Sequence, residues 1–153
     1  MTKQRRLLIS EARKWPNTPF LYKGRTREGV DCIGLLLCVC ADLGLNRWID
    51  EDFNYPECPV GNICYDWCNA HMTRNEDWEP GHTVYMEPGN VVLFKVPDPV
   101  HIGIVTDFGV IHSVNSGRRL SEGLNKPRCV IEHSMNEKWL RRVSACFKIP
   151  NVI

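Results

Sequence analysis

The chain has 153 residues, with 19 Lys and Arg against 18 Asp and Glu. A chain of this length forms one domain that buries about 68–70% of its unfolded surface, so it needs no disulfide staples. The balanced charge gives no global field for nucleic acid or an anionic membrane, and no apolar run approaches the ~18 residues of a membrane span.

Met1 to Ala12 opens basic, and its short apolar run soon meets Glu11 and Arg13, too short and too polar for a signal peptide. Residues 2–15 place Leu7, Leu8, Ala12 and Trp15 at helical spacing, and Pro16-Asn17-Thr18-Pro19 stops that helix. Phe20-Leu21-Tyr22 reads as extended, and Lys23 to Gly29 as a charged, turn-like loop. The next helix runs from Cys32 to about Leu43, with Gly44 as its C-terminal stop. Residues 46–87 are the least legible. A helical piece is expected around Ile63 to Met72, and the spread aromatics, Tyr55 and Trp67 among them, indicate packing on the domain and not a linker. From Pro88 the texture turns to strands: Asn90 to Val96, Val100 to Thr106, Gly109 to Ser113, Arg128 to His133 and Ser144 to Ile149, the second and third joined by a tight turn at Asp107-Phe108-Gly109. A helix-rich first half followed by consecutive short strands gives an α+β fold with an antiparallel sheet.

Eight cysteines fall below the density of a disulfide scaffold. Cys38, Cys40 and Cys146 lie in apolar contexts, which suits free thiols in a reducing compartment. Cys58, Cys64, Cys68 and His71 are the only group worth weighing as a zinc site. Their spacing matches no pair of two-residue knuckles, so no metal is expected.

Cys32 stands where a helix begins, and unpaired first-turn N–H groups with the positive end of the helix dipole favour a thiolate there. Asp31, near the N-cap, works against that ionisation. By itself the position suits a buried core thiol equally well. A nucleophile needs a base and an orienting partner. His101 and His112 are 11 residues apart across the tight turn, a spacing that can set two imidazoles on adjacent strands. Two hydrogen-bonded strand-end histidines account for the spacing as well. His71, His82 and His133 have no cysteine obviously placed for them.

Five segments occur in order: Thr18-Pro19-Phe20-Leu21-Tyr22-Lys23-Gly24, Asp31-Cys32-Ile33-Gly34-Leu35, Pro88-Gly89-Asn90-Val91-Val92-Leu93-Phe94, His101-Ile102-Gly103-Ile104-Val105 and Val110-Ile111-His112-Ser113. The series resembles the NlpC-type family of bacterial cell-wall cysteine peptidases, a compact papain-like fold, with N-terminal helices packed on a central antiparallel sheet. It covers about Ile9 to Phe147, so residues 1–153 are one domain, with 46–87 a variable, insertion-like segment. The ending, Val130-Ile131-Glu132-His133 with Trp139-Leu140-Arg141-Arg142 and Phe147-Lys148-Ile149-Pro150, is similar to a single-domain branch found in phage and prophage tail modules.

That resemblance implies Cys32 as nucleophile, His101 as base and His112 as the third, orienting residue. It implies a site-lining hydroxyl at Tyr22, and at Asp31 a carboxylate that helps hold the free amine of a stem peptide. The implied reaction is hydrolysis of the γ-D-glutamyl–diaminopimelate bond or a neighbouring amide in peptidoglycan, with no metal or organic cofactor. The implied partners are the stem peptide and phage tail proteins. The implied setting is synthesis in the cytoplasm and action at the cell wall on a phage or phage-like particle. Two positions depart from the pattern. Ile33 stands where a serine usually follows the nucleophile, and Asn90 replaces the aspartate of the usual Gly-Asp. Rival readings are a tail assembly protein with a vestigial site, acyl transfer or another amide substrate on the same fold, and a thiol-redox or zinc protein.

Overall fold

A computed structural model describes residues 1–45, 53–95, 99–115 and 128–153. Val96, assigned from sequence to a strand end, lies outside the described residues, as do residues 46–52 of the middle segment.

Helix α1, Lys3–Ala12, starts at Thr2, whose hydroxyl accepts from the Arg5 N–H at 3.3 Å, and it buries Leu8, Ile9 and Ala12. It is shorter than the 2–15 expected, because Arg13 closes the helix and Trp15 folds into the core from the turn that follows. The charged loop after Tyr22 contains a small hairpin, β1 (Arg25–Thr26) with β2 (Gly29–Val30). Helix α2, Cys32–Asp42, is capped by Asp31, which accepts from the Gly34 N–H at 2.7 Å. It buries every residue from Ile33 to Cys40, so it is enclosed on all sides and reaches the surface mainly at its ends. Gly44 leaves it at φ +62°, a left-handed conformation that suits glycine. Helix α3, Ile63–His71, buries Cys64, Trp67 and Cys68.

Among the described residues the main sheet is antiparallel and has six strands: β3 (Thr73–Arg74), β4 (Asn90–Lys95), β5 (Pro99–Val105), β6 (Gly109–Ser113), β7 (Val130–Ser134) and β8 (Val143–Lys148), in the spatial order β3-β8-β4-β5-β6-β7. A short helix, α4 (Glu137–Leu140), precedes β8. The architecture is α+β, as the sequence indicates. Strand β5 begins one residue earlier than expected, with Pro99 opposite Lys95 after a register shift. A proline is tolerated at a strand's first residue.

Alternation along the strands divides the interior. Val91, Leu93, Ile102, Ile104 and Ile111 pack with α1, α2 and α3 in the main core. Val92, Phe94, Val105 and Val110 form a smaller cluster on the opposite face, covered by Trp78, Met86, Met135 and Trp139. Strands β5 and β6 pair only at Ile104↔Ile111 and Val105↔Val110 and are unpaired beyond. Gly103 lies beside that opening. A Cβ there would stand 2.5 Å from Val110 Cγ2, 3.1 Å from the Phe94 ring and 3.6 Å from His112 Cβ. The missing side chain therefore leaves room for Val110 and the Phe94 ring beside His112.

Candidate active site

Cys32 is the first residue of α2 and remains partly exposed while Ile33 to Cys40 are sealed. The backbone N–H groups of Ile102 and Ile33 act on its sulfur and favour the thiolate. Burial of the sulfur, reinforced by the Asp31 carboxylate, outweighs them and pushes the thiol far above its ordinary range. The expectation of a lowered pKa is therefore reversed, because desolvation exceeds what the helix start supplies. No hydrogen bond joins Cys32 to His101. The thiol meets β5 one residue further along, at Ile102, whose side chain belongs to the helix-side core.

His101 Nε2 lies 2.6 Å from His112 Nδ1, so the two imidazoles the sequence sets on adjacent strands are hydrogen-bonded. Phe94 stacks on the His101 ring at 5.8 Å, and Trp139 stands edge-on to His112 at 4.9 Å. His112 is fully buried. Burial, then the neighbouring His133, lower His101 to about 4, and burial with both neighbours lowers His112 further. At neutral pH the site thus rests as a neutral thiol beside neutral imidazoles. The histidine row continues: His112 Nε2 is 2.8 Å from His133 Nε2, and His133 Nδ1 is 2.8 Å from the Ser134 carbonyl oxygen.

Asp31 is 4% exposed, and each of its oxygens accepts two bonds. Oδ1 takes the Gly34 N–H at 2.7 Å and the Arg25 guanidinium at 3.4 Å. Oδ2 takes the Lys23 N–H at 2.8 Å and the Tyr55 hydroxyl at 2.6 Å. Arg25 also donates to the Tyr55 oxygen at 2.9 Å. Burial and the Asp31 charge hold the Tyr55 phenol protonated, its pKa pushed well up. Tyr22 packs against the main core, and its hydroxyl donates to the Tyr55 carbonyl oxygen. The one proton of Tyr22 is thus committed to Tyr55, and the carboxylate of Asp31 organises the loop and the start of α2.

The cysteines of α3 lie on the Cys32 side of the core, close enough for Cys64 to act on the Cys32 thiol. Cys58 is exposed, while Cys64 and Cys68 are sealed in α3. His71 Nδ1 donates back to the Trp67 carbonyl at 2.8 Å. Among the described residues no group of three or more His, Cys, Asp or Glu is arranged to hold a metal ion.

No family model matches the chain. Over 125 residues, 79% of the chain, it is 26% identical to a Haemophilus influenzae protein described as a probable endopeptidase. That match spans 66% of the relative, just under two thirds of its length. Among solved structures, the chain is similar to the NlpC/p60 domain of the peptidoglycan hydrolase SagA, with a TM-score of 0.58 and 16% identity over 95% of this chain and 98% of that one. It is also similar to an NlpC/p60 family protein from Bacillus cereus, with a TM-score of 0.63 and 13% identity over 100% of this chain and 42% of that one. This chain has the NlpC/p60 fold. A Staphylococcus aureus protein of the NLP/P60 family adds a TM-score of 0.56 at 14% identity, over 99% of this chain and 43% of its own.

On this NlpC/p60 fold the start of α2 is held tightly. A Cβ on Gly34 would stand 2.1 Å from the Gly24 carbonyl oxygen and 2.7 Å from the Arg25 guanidinium. Gly34→Ala must therefore move α2 away from the β1 loop. It should lower stability by about 1–3 kcal/mol, the usual cost of overpacking, read as a lower urea midpoint. An unchanged midpoint would show that the loop yields freely. Two side chains at the site escaped the sequence reading. Tyr55 lies in the illegible middle segment, and only the tertiary fold brings it to Asp31. His133 joins the row through the β6–β7 register, Val110↔His133, which no local pattern announces.

Proposed function

We propose that the chain is a cysteine peptidase that hydrolyses an amide bond in peptidoglycan stem peptides, with Cys32 as nucleophile, His101 as base and His112 as its orienting partner. The observation that carries this reading is the 2.6 Å His101–His112 pair on the strand whose next N–H meets the Cys32 sulfur. The NlpC/p60 fold supports it, as do the relatives described as a peptidoglycan hydrolase and a probable endopeptidase.

In the resting state both partners are neutral, so the thiolate forms as the substrate is attacked. The Cys32 S–H proton passes to a ring nitrogen of His101 while sulfur bonds to the amide carbon, turning its carbonyl into an oxyanion. The backbone N–H of Cys32 is the donor for this oxygen, worth about 10²–10³ in rate, since Asp31 already binds the N–H groups of Gly34 and Leu35. Collapse breaks the C–N bond, and the His101 proton goes to the leaving amine. Water then attacks the thioester, gives a proton to His101 and releases the acid. The proton returns to sulfur, so one water is consumed per bond cut.

The amine-holding role implied for Asp31 competes with four donors already in place, so a substrate amine would have to displace Arg25 or Tyr55. Ile33, buried behind the nucleophile, cannot hydrogen-bond an amine as serine would, and Arg25 and Tyr55 are the polar groups left to shape that subsite. The γ-D-glutamyl–diaminopimelate bond is the first substrate to test. The tail-associated setting rests on the sequence resemblance of the C-terminal segments alone.

Purified protein incubated with muropeptides should give fragment pairs whose masses sum to the parent plus one water, and Cys32→Ala should give none. Full hydrolysis by Cys32→Ala would overturn the reading, and so would intact muropeptides of every stem length after incubation with the parent protein.

A further inference from the structure

We propose that His133 is a positioning residue: through the Ser134 carbonyl it fixes the tautomers of His112 and His101, leaving the lone pair of His101 on Nδ1. The catalytic consequence rests on the reading of His101 as the base; the tautomer assignment does not.

The argument is one of donors and acceptors along the row. A carbonyl oxygen can only accept, so the 2.8 Å contact to Ser134 places the His133 proton on Nδ1. In a neutral imidazole the other nitrogen then carries the lone pair. His133 Nε2 is therefore the acceptor in its 2.8 Å contact with His112, and His112 carries its proton on Nε2. His112 Nδ1 must then accept at 2.6 Å from His101 Nε2–H. One nitrogen remains in the row, Nδ1 of His101, and it bonds to no described residue. It is left as a base.

The surroundings hold the row in this sense. His112 is fully buried, so neither of its nitrogens can turn to water. With all three rings neutral, the opposite polarity would require the Ser134 carbonyl to donate. Trp139 lies against all three rings, with centroids 6.5 Å from His101, 4.9 Å from His112 and 5.1 Å from His133. From β4 the ring of Phe94 faces both His101 and His112. The nearby charges are turned elsewhere. Arg142 lies over the Trp139 ring at 5.0 Å, and Glu132, the neighbour of His133 on β7, is bound by Arg13 at 2.8 Å. Among the described residues no carboxylate meets the row. A backbone carbonyl does for these imidazoles what an orienting carboxylate does in a Ser-His-Asp triad.

Two measurements test this. Ring-nitrogen NMR of the ¹⁵N-labelled protein at pH 7.5 should show His101 and His112 protonated on Nε2 and His133 on Nδ1. A His112 proton on Nδ1 overturns the proposal, whatever the enzyme does. Kinetics on muropeptides should show kcat lowered about 10–100-fold in His133→Phe, by analogy with the loss when hydrogen-bond partners behind metal-bound histidines are removed, with KM little changed. His133→Gln, whose amide oxygen can accept from His112 Nε2–H, should recover most of that loss; His133→Phe cannot accept. Equal kcat in His133→Phe and the parent, or His133→Gln as impaired as His133→Phe, overturns the positioning role. If the parent cuts no muropeptide, the functional reading has failed. The ring spectrum then decides the tautomers alone, in the parent and in the folded His133→Gln protein.

Discussion

His101→Ala should abolish muropeptide turnover, by a factor of about 10⁴ or more, while Cys32 stays in place and the protein stays folded. In the proposed mechanism the imidazole removed is the base on the strand whose next N–H acts on the sulfur, and a thiol held neutral by burial makes almost no thiolate without it. On the tautomers proposed above His112 acts differently, because its Nδ1 receives the N–H of His101 Nε2 across their 2.6 Å contact. His112→Ala leaves a buried N–H without an acceptor and lets the base rotate, and an orienting partner lost with the wrong tautomer left behind has cost about 10⁴ in other triads. The size of the loss therefore cannot rank the two histidines. The pattern of rescue can: His112→Asn or His112→Gln should regain part of the rate, since an amide oxygen accepts from an imidazole N–H, whereas His101→Gln should stay inactive. A live His101→Gln beside a dead His112→Gln would reverse the assignment of base and orienter.

Stability should fall steeply as the pH drops from 7.5 to 5. Burial holds His101 near 4 in the folded chain, against about 6.5 when unfolded. Below 6.5 the unfolded state binds the proton and the folded state does not, so stability is lost as pH falls and is fully present above the unfolded value. At pH 5 the loss is on the order of 2 kcal/mol for His101, with a contribution of the same sign from His112, whose folded pKa is lower still. Glu132, held low chiefly by its hydrogen bond from Arg13, adds a loss of the same sign only in the more acid range where carboxylates titrate. Urea denaturation at pH 7.5, 6 and 5 reads the slope. His112→Gln should flatten it, and an equal slope in that variant would assign the acid sensitivity to other groups.

Much of the frame was readable because it rests on local rules. The apolar run from Ile33 to Val39 between a capping aspartate and Gly44 can only be a buried helix, and the β-branched stretches at 90–95, 99–105 and 109–113 are strands by composition and turn chemistry. The β1–β2 hairpin, β3 and α4 span two to four residues each, too few for any period to show. The motif residues Cys32, His101 and His112 stand out through their neighbours in sequence. Tyr55 and His133 do not, since each reaches the site through long-range packing. The charge state of the thiol was misjudged for a related reason. A helix start is visible in the sequence, whereas the desolvation that overrides it depends on what covers the sulfur.

The outer edge of β7 has consequences for how any peptide can approach. Asn17 donates to the Val130 carbonyl, Val130 to Thr18 and Phe20 to Arg128, so the segment before Tyr22 runs along that edge and occupies its first hydrogen-bonding positions. At the far side of the sheet the edge is β3, two exposed residues long. Among the described residues neither border offers a long free run of N–H and C=O groups, which limits edge-to-edge association between copies and leaves a ligand little strand to extend. The γ-linked stem peptide proposed above as substrate would suit such a molecule. Its chain runs through a side-chain carboxyl and breaks the two-residue alternation that strand addition requires, so on that proposal it would be gripped group by group at the head of α2.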